Sequence, residues 1–279
     1  MTPMTREPVP SPAALQIADH ALHHDGASIH ARSWTPTAAA STRTGAGAGA
    51  APIVLMHDSL GSVSLWRGFP EALAIATGRR VVAYDRAGFG QSGALGPLPE
   101  ADFIAAEARG AFLSVVDQLG LDRFVVLGHS VGGGMSVEIA AQLPERCEAL
   151  ITISAQAFVE DRTIAGVRAS RDDFQAPGQM ERLAKYHGDK ASWVLHAWTE
   201  RWLAPEFAAW SLRSTLPRVT CPLLTIHGEL DEYGSTAHQD LIAGLVSGPA
   251  RKLTMAGIGH GPHREAPEAV IAAVAEFLA

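Results

Sequence analysis

Cysteine is scarce here: Cys147 and Cys221 are the two in 279 residues, and neither has a second cysteine or a histidine at metal-ligand spacing. That argues against a disulfide framework and a zinc site, so two buried free thiols and no bound metal are expected. Positive charge is short as well. Lys and Arg number 22 against 29 Asp and Glu, a net charge of −7, with no run of five basic residues. A protein of that balance is not expected to bind a phosphate backbone as its main activity, so no nucleic-acid partner is read. Long hydrophobic runs are missing too. None reaches the ~18 uninterrupted apolar residues of a membrane span. Four prolines and no apolar core occupy the first twelve residues, which is not the pattern of a signal peptide. A cytoplasmic location without a membrane partner is the expectation.

What the chain does have is apolar mass, 47% of residues, enough to fill a sizeable core. Residues 1–13 read as a flexible tail. LQIADHALHHDGASIHARSW (15–34) reads as a hairpin turning at Asp25-Gly26. PTAAASTRTGAGAGAAP (36–52) has little to bury and reads as a surface loop. Then short apolar runs without polar alternation recur at 53–57, 80–85, 124–129 and 149–154, and the rhythm resumes at PLLTIHG (222–228) and continues with ARKLTMA (250–256). Helical patterns fill the spaces at 66–77, 101–120, 130–144, 237–248 and 265–279. Fully buried strands alternating with helices imply an α/β fold, a mostly parallel sheet of about eight strands covered by helices on both faces.

The rhythm breaks between about 156 and 216. That stretch holds Trp193, Trp198, Trp202 and Trp210, four of the six tryptophans, with apolar groups at helical spacing. It reads as a helical cap inserted into a core formed by 14–155 and 217–279.

The chemistry concentrates in FVVLGHSVGGGMSVEIA (124–140). Gly128-His129-Ser130-Val131-Gly132 is a G-x-S-x-G pattern between a buried-strand run and a helical pattern. That is the context in which a serine is lifted clear of a sheet on a tight turn. The helix N-terminus behind it adds partial positive charge where an oxyanion would form. A serine needs a base, and the base needs an acid to orient it. Asp231 follows the run PLLTIHG, and His260 follows ARKLTMA in the glycine-flanked loop Gly257-Ile258-Gly259-His260. Both lie past strand C-terminal ends, where open α/β sheets place their sites. Rivals are present: His263 for the base, and Glu229 and Glu232 for the acid. His129 in the tight turn, and His20, His23, His24 and His30 on the hairpin, call for no catalytic role.

The pieces LMHDSLGS, VVAYDRAGFGQSG, LGHSVGGG, LTIHGELDEYGS and AGIGHGPHREAPE together resemble an α/β-hydrolase of the capped esterase, lactonase and carbon–carbon hydrolase branch. The resemblance runs from the hairpin to the C-terminus. It implies Ser130 as nucleophile, His260 as general base and then acid, and Asp231 as the carboxylate that orients it. It also implies an oxyanion hole from the backbone N–H groups of Ser59 and Val131, with Leu60 the fallback for Ser59. Asp58 departs from the family, where many relatives have glycine. Its expected place is turned outward, bonded to loop amides, with Arg86 a possible ion partner. The D-x-x-G-x-G-x-S loop at 85–92 is structural rather than a dinucleotide site, and no cofactor is implied.

The expected function is serine hydrolysis of a small, largely hydrophobic ester or lactone through an acyl-enzyme, as in carboxylesterases. Leu60, His129, Phe158, Trp193, Trp198 and Trp202 are the candidate substrate contacts, with Leu203 beside them. Carbon–carbon bond hydrolysis is the alternative, and it usually offers an arginine to the substrate carboxylate. Arg162, Arg168, Arg171, Arg182, Arg201 and Arg213 all fall in the cap region. A catalytically degenerate relative that only binds a small molecule is the alternative of another class. Monomer and homodimer both stay open.

Overall fold

Asp25 and Gly26 both take positive φ, 47° and 80°. That is the backbone of a two-residue hairpin turn whose twist matches the strands it joins. It links β1 (Leu15–His24) to β2 (Ala27–Pro36). The computed structural model describes residues 15–37, 49–94 and 96–279; the tail at 1–13 and most of the 36–52 loop lie outside them.

Six further strands complete the sheet: β3 (Ile53–Met56), β4 (Val81–Tyr84), β5 (Phe124–His129), β6 (Cys147–Ile153), β7 (Leu223–Gly228) and β8 (Ala250–Met255). Their order is β1-β2-β4-β3-β5-β6-β7-β8, with β2 antiparallel to both its neighbours and every other pairing parallel. β3, β4, β5 and β7 are buried at every position, because helices cover both faces. Alternate residues divide between the two sides. Val54, Met56, Val126 and Leu150 pack with the helices α2 (Phe103–Arg109), α3 (Ala111–Gln118), α4 (Val131–Gln142) and α8 (Thr236–Leu245). Ile53, Leu55, Val125 and Ile151 face α1 (Phe69–Thr77) and α10 (Pro267–Phe277). Cys147 at the start of β6 and Cys221 just before β7 are buried free thiols, their sulfurs 3.8 Å apart.

Two helices expected as single runs are broken. The run 101–120 divides at Gly110 (φ −115°, ψ −106°), where the His24 ring packs so close that a Cβ would lie 3.1 Å from Nε2. The run 265–279 divides at Ala266 (φ −141°), because the ring of Pro267 drives the preceding residue out of helical conformation. A short helix, α9 (Pro262–Glu265), precedes the break.

Between β6 and β7 lie α5 (Asp161–Asp173), α6 (Gln179–His187) and α7 (Ala191–Leu203). Trp202 from α7 joins Phe207 and Trp210 in an aromatic cluster, the latter two rings stacked at 5.4 Å. This cluster merges with the core under α4 and fixes the inserted segment to the sheet.

Candidate active site

The strand order reverses about β3, which has β4 on one side and β5 on the other. The loops leaving β3 and β5 therefore part at a crevice beyond the strand ends. Ser130 sits there at φ 57°, ψ −126°, a conformation that costs a non-glycine residue energy and persists only when its surroundings enforce it. They do so by contact. A Cβ on Gly128 would lie 2.1 Å from the Gly132 carbonyl oxygen, and one on Gly132 would lie 2.2 Å from that of Met56. Only glycine lets α4 approach β3 and β5 this closely.

His260 Nδ1–H donates to Asp231 at 2.8 Å to each carboxylate oxygen. Burial works to raise the Asp231 carboxyl. The hydrogen bond and charge of His260, the Tyr233 N–H and His227 outweigh it and hold the group below the usual carboxylate range. The His260 loop is held by two more carboxylates. Glu265 accepts from Gly259 N–H (2.9 Å) and Gly261 N–H (3.0 Å), and Glu232 accepts from His260 N–H (3.3 Å). Of the rivals, Glu229 holds the Gly257 amide at 3.0 Å. His263 is buried against Trp66 and His129, with neither ring nitrogen bonded.

Ser130, His260, Leu60, His129, Trp198 and Trp202 share the wall of one cavity of about 390 Å³. Three expected contacts do not reach it. Phe158 packs against His238 in a tilted pair, ring centroids 4.2 Å apart, and Trp193 lies over Gly88, where a Cβ would come within 2.5 Å of its ring. Leu203 packs on the core instead. In the described structure Ser130 Oγ donates to Gln156 Oε1 at 3.2 Å and no hydrogen bond joins it to His260. Sequence reasoning missed Gln156. Its signal was position alone, three residues past the end of β6 at the sheet edge that carries the site.

Asp58 does not turn outward, and its ion partner is not Arg86. Its carboxylate lines the cavity, accepting from Leu60 N–H (3.1 Å) and Arg264 Nη2 (2.7 Å) and facing His129 Nδ1 (3.1 Å). Arg86 reaches the Asp58 backbone oxygen at 2.9 Å. Burial opposes charge on Asp58, yet His129 and Arg264 hold its carboxyl well below the usual range. The other nitrogen of His129, Nε2, bonds to the His260 carbonyl at 2.8 Å. Both its nitrogens thus face acceptors, and burial lowers its imidazole against the raising pull of Asp58. The loop carrying Ser59 is thereby tied to the loop carrying His260. Leu60 N–H is spent on Asp58, while among the described residues the amides of Ser59 and Val131 donate to no protein acceptor.

The alpha/beta hydrolase fold family matches residues 51–215 of this sequence, more than half of its length. The chain belongs to that family. A Rhizobium rhizogenes protein named for carbamate hydrolysis is 39% identical over 103 residues, which is 37% of this chain and 37% of that protein. The chain thus matches about a third of the length of its curated relatives. Among solved structures, an enol-lactonase from Burkholderia xenovorans superposes with a TM-score of 0.68 at 24% identity, over 94% of this chain and 99% of that one. A 2-hydroxy-6-oxo-6-phenylhexa-2,4-dienoate hydrolase from Rhodococcus gives 0.72 at 18%, over the same shares. At such identities these likenesses carry the fold alone. Among the described residues, no helix is long and apolar enough to cross a membrane.

Proposed function

We propose that this protein is a serine hydrolase that cleaves a carboxylic ester or lactone of a small, largely apolar substrate. The observation that carries the reading is one cavity in which a strained elbow serine meets a histidine bound at Nδ1 to a buried carboxylate. Asp231 fixes the tautomer of His260 that leaves Nε2 free to take a proton. Ser130 Oγ–H turns from Gln156 to Nε2 as substrate enters, and Oγ attacks the carbonyl carbon. The carbonyl oxygen, now an anion, finds the uncommitted N–H groups of Ser59 and Val131 beside the helix N-terminus. His260 passes the proton to the leaving alkoxide. Water, deprotonated by His260, then releases the acid and restores Ser130.

Segment 156–216 acts as the cap of this site. Its Trp198, Trp202 and Val167 supply the apolar wall. That wall suits a small hydrophobic substrate. Carbon–carbon bond hydrolysis is less favoured, since none of the six cap-region arginines lines the cavity. Arg264 does, but Asp58 neutralises it at 2.7 Å.

The test is pre-steady-state hydrolysis of short p-nitrophenyl esters beside a vinylogous diketone acid. The reading expects a stoichiometric burst of p-nitrophenol. Turnover of the diketone acid with no ester turnover would contradict it.

A further inference from the structure

Gln156 is 4% exposed and opens onto the same cavity as Ser130. The chain is bent sharply just before it by Ser154, a second non-glycine residue at positive φ (46°). That bend delivers a neutral amide to the nucleophile. Its Oε1 is occupied by Ser130 Oγ–H at 3.2 Å, whereas its Nε2 has no hydrogen-bond partner among the described residues. The charged groups around it are already engaged. Asp58 and Arg264 hold each other, and Glu232 and Glu265 hold the His260 loop. Thr163 donates to the Tyr233 carbonyl at 2.7 Å. Its two N–H donors open onto the cavity, where water or an acceptor on a ligand can take them.

Resting on the serine-hydrolase reading, we propose that Gln156 is a specificity-determining residue. It selects substrates whose acyl group carries a neutral acceptor, an ether or hydroxyl oxygen, one carbon beyond the scissile carbonyl. Oε1 marks where Ser130 Oγ lies before attack, and Nε2 is on the same planar group. Nε2 therefore lies near the groups bonded to the reacting carbon, not at the far end of the cavity, and the acyl chain is the group assigned to it. An all-carbon acyl group strips water from these donors and returns nothing. An oxygen in that place restores the bond.

The test pairs p-nitrophenyl methoxyacetate with p-nitrophenyl butyrate, which have the same chain length and differ by one oxygen for one methylene. The readout is the ratio of their kcat/KM values in wild type, Gln156→Leu and Gln156→Glu. Intrinsic reactivity of the two esters cancels between enzymes. Gln156→Glu keeps an acceptor for Ser130 but removes the donors, which separates recognition from the contact with the nucleophile. The ratio is expected to fall roughly 3–10-fold in both variants, the loss of one hydrogen bond. Fluorophosphonate labelling of Ser130 reports in each variant that the site is assembled. An unchanged ratio in labelled variants overturns the role of Gln156. Absence of turnover and of labelling in wild type overturns the hydrolase reading, and this proposal with it.

Discussion

Asp231→Asn removes the acceptor that fixes His260, leaving the fold its amide in nearly the same volume. The expected result is a fall in kcat of roughly 10³–10⁴ with KM little changed, because the wrong tautomer is presented to Ser130. Steady-state kinetics on a short p-nitrophenyl ester would check it, and a loss confined to KM would contradict it. Asp58→Asn is a second case. It weakens the ties to Arg264 and His129, so the loop holding Ser59 loosens and kcat should fall about 10-fold. At this scale the sequence was readable where chemistry imposes a pattern. Gly128 and Gly132 are forced by a turn that admits no Cβ on either side of Ser130, and Asp231 and His260 follow strands at the expected edge. It was unreadable where contacts join distant segments. Arg264 pairs with Asp58 across 206 positions, and no local signal selects it over Arg86. Trp193 and Phe158 are aromatic in an aromatic-rich segment, and their sequence says nothing of which ring faces the cavity.

Elements hold these residues through close approach. Gly132→Ala drives a methyl against the Met56 and His57 carbonyl oxygens, at 2.2 and 2.6 Å, and must push α4 from β3. A destabilisation of about 3 kcal/mol is expected, seen as a lower urea midpoint, with fluorophosphonate labelling slowed. A wild-type midpoint would contradict the packing argument. Glu265 at the end of α9 acts instead through the loop it grips. In Glu265→Gln the amide accepts from one of Gly259 and Gly261, not both, so His260 is less well placed. The expected signature is faster amide exchange at 257–261 and kcat down about 10-fold, with the thermal midpoint near wild type. The positions of β3 to β7 were legible because burial on both faces leaves continuous apolar runs. Helix breaks were not. Gly110 and Ala266 interrupt otherwise good helical periodicity, one through a packed His24 ring and one through Pro267.

Across the whole molecule, burial of histidine sets acid sensitivity. His57 accepts from Arg86 N–H through Nε2 and donates through Nδ1 to the Asp58 carbonyl, so neither nitrogen can take a proton without losing a bond. Burial, with the Arg86 guanidinium beside it, holds its imidazole down to about 3. His187 is fixed the same way between Gly90 N–H and the Leu60 carbonyl, and burial lowers it too. His263, buried beside His129 and Arg264, is lowered further. In each the folded value lies below the unfolded one, ~6.5. Their stability is therefore complete above that pH and drains away as pH falls toward the folded values. His57 alone costs about 1.4 kcal/mol between pH 7.5 and 5.5, and His187 and His263 act in the same direction, which predicts a Tm lower by several degrees at pH 5.5. A Tm that does not change over that interval would contradict the neutral assignment. The fold class was evident from the strand–helix alternation, but which histidines it buries follows from packing that no local window contains. The central claim concerns Ser130, and intact-mass analysis after fluorophosphonate treatment tests it most directly. A single adduct on the wild-type chain, mapped to Ser130 and missing from Ser130→Ala, is the predicted result. No adduct on wild type, or an equal one on Ser130→Ala, would contradict the account.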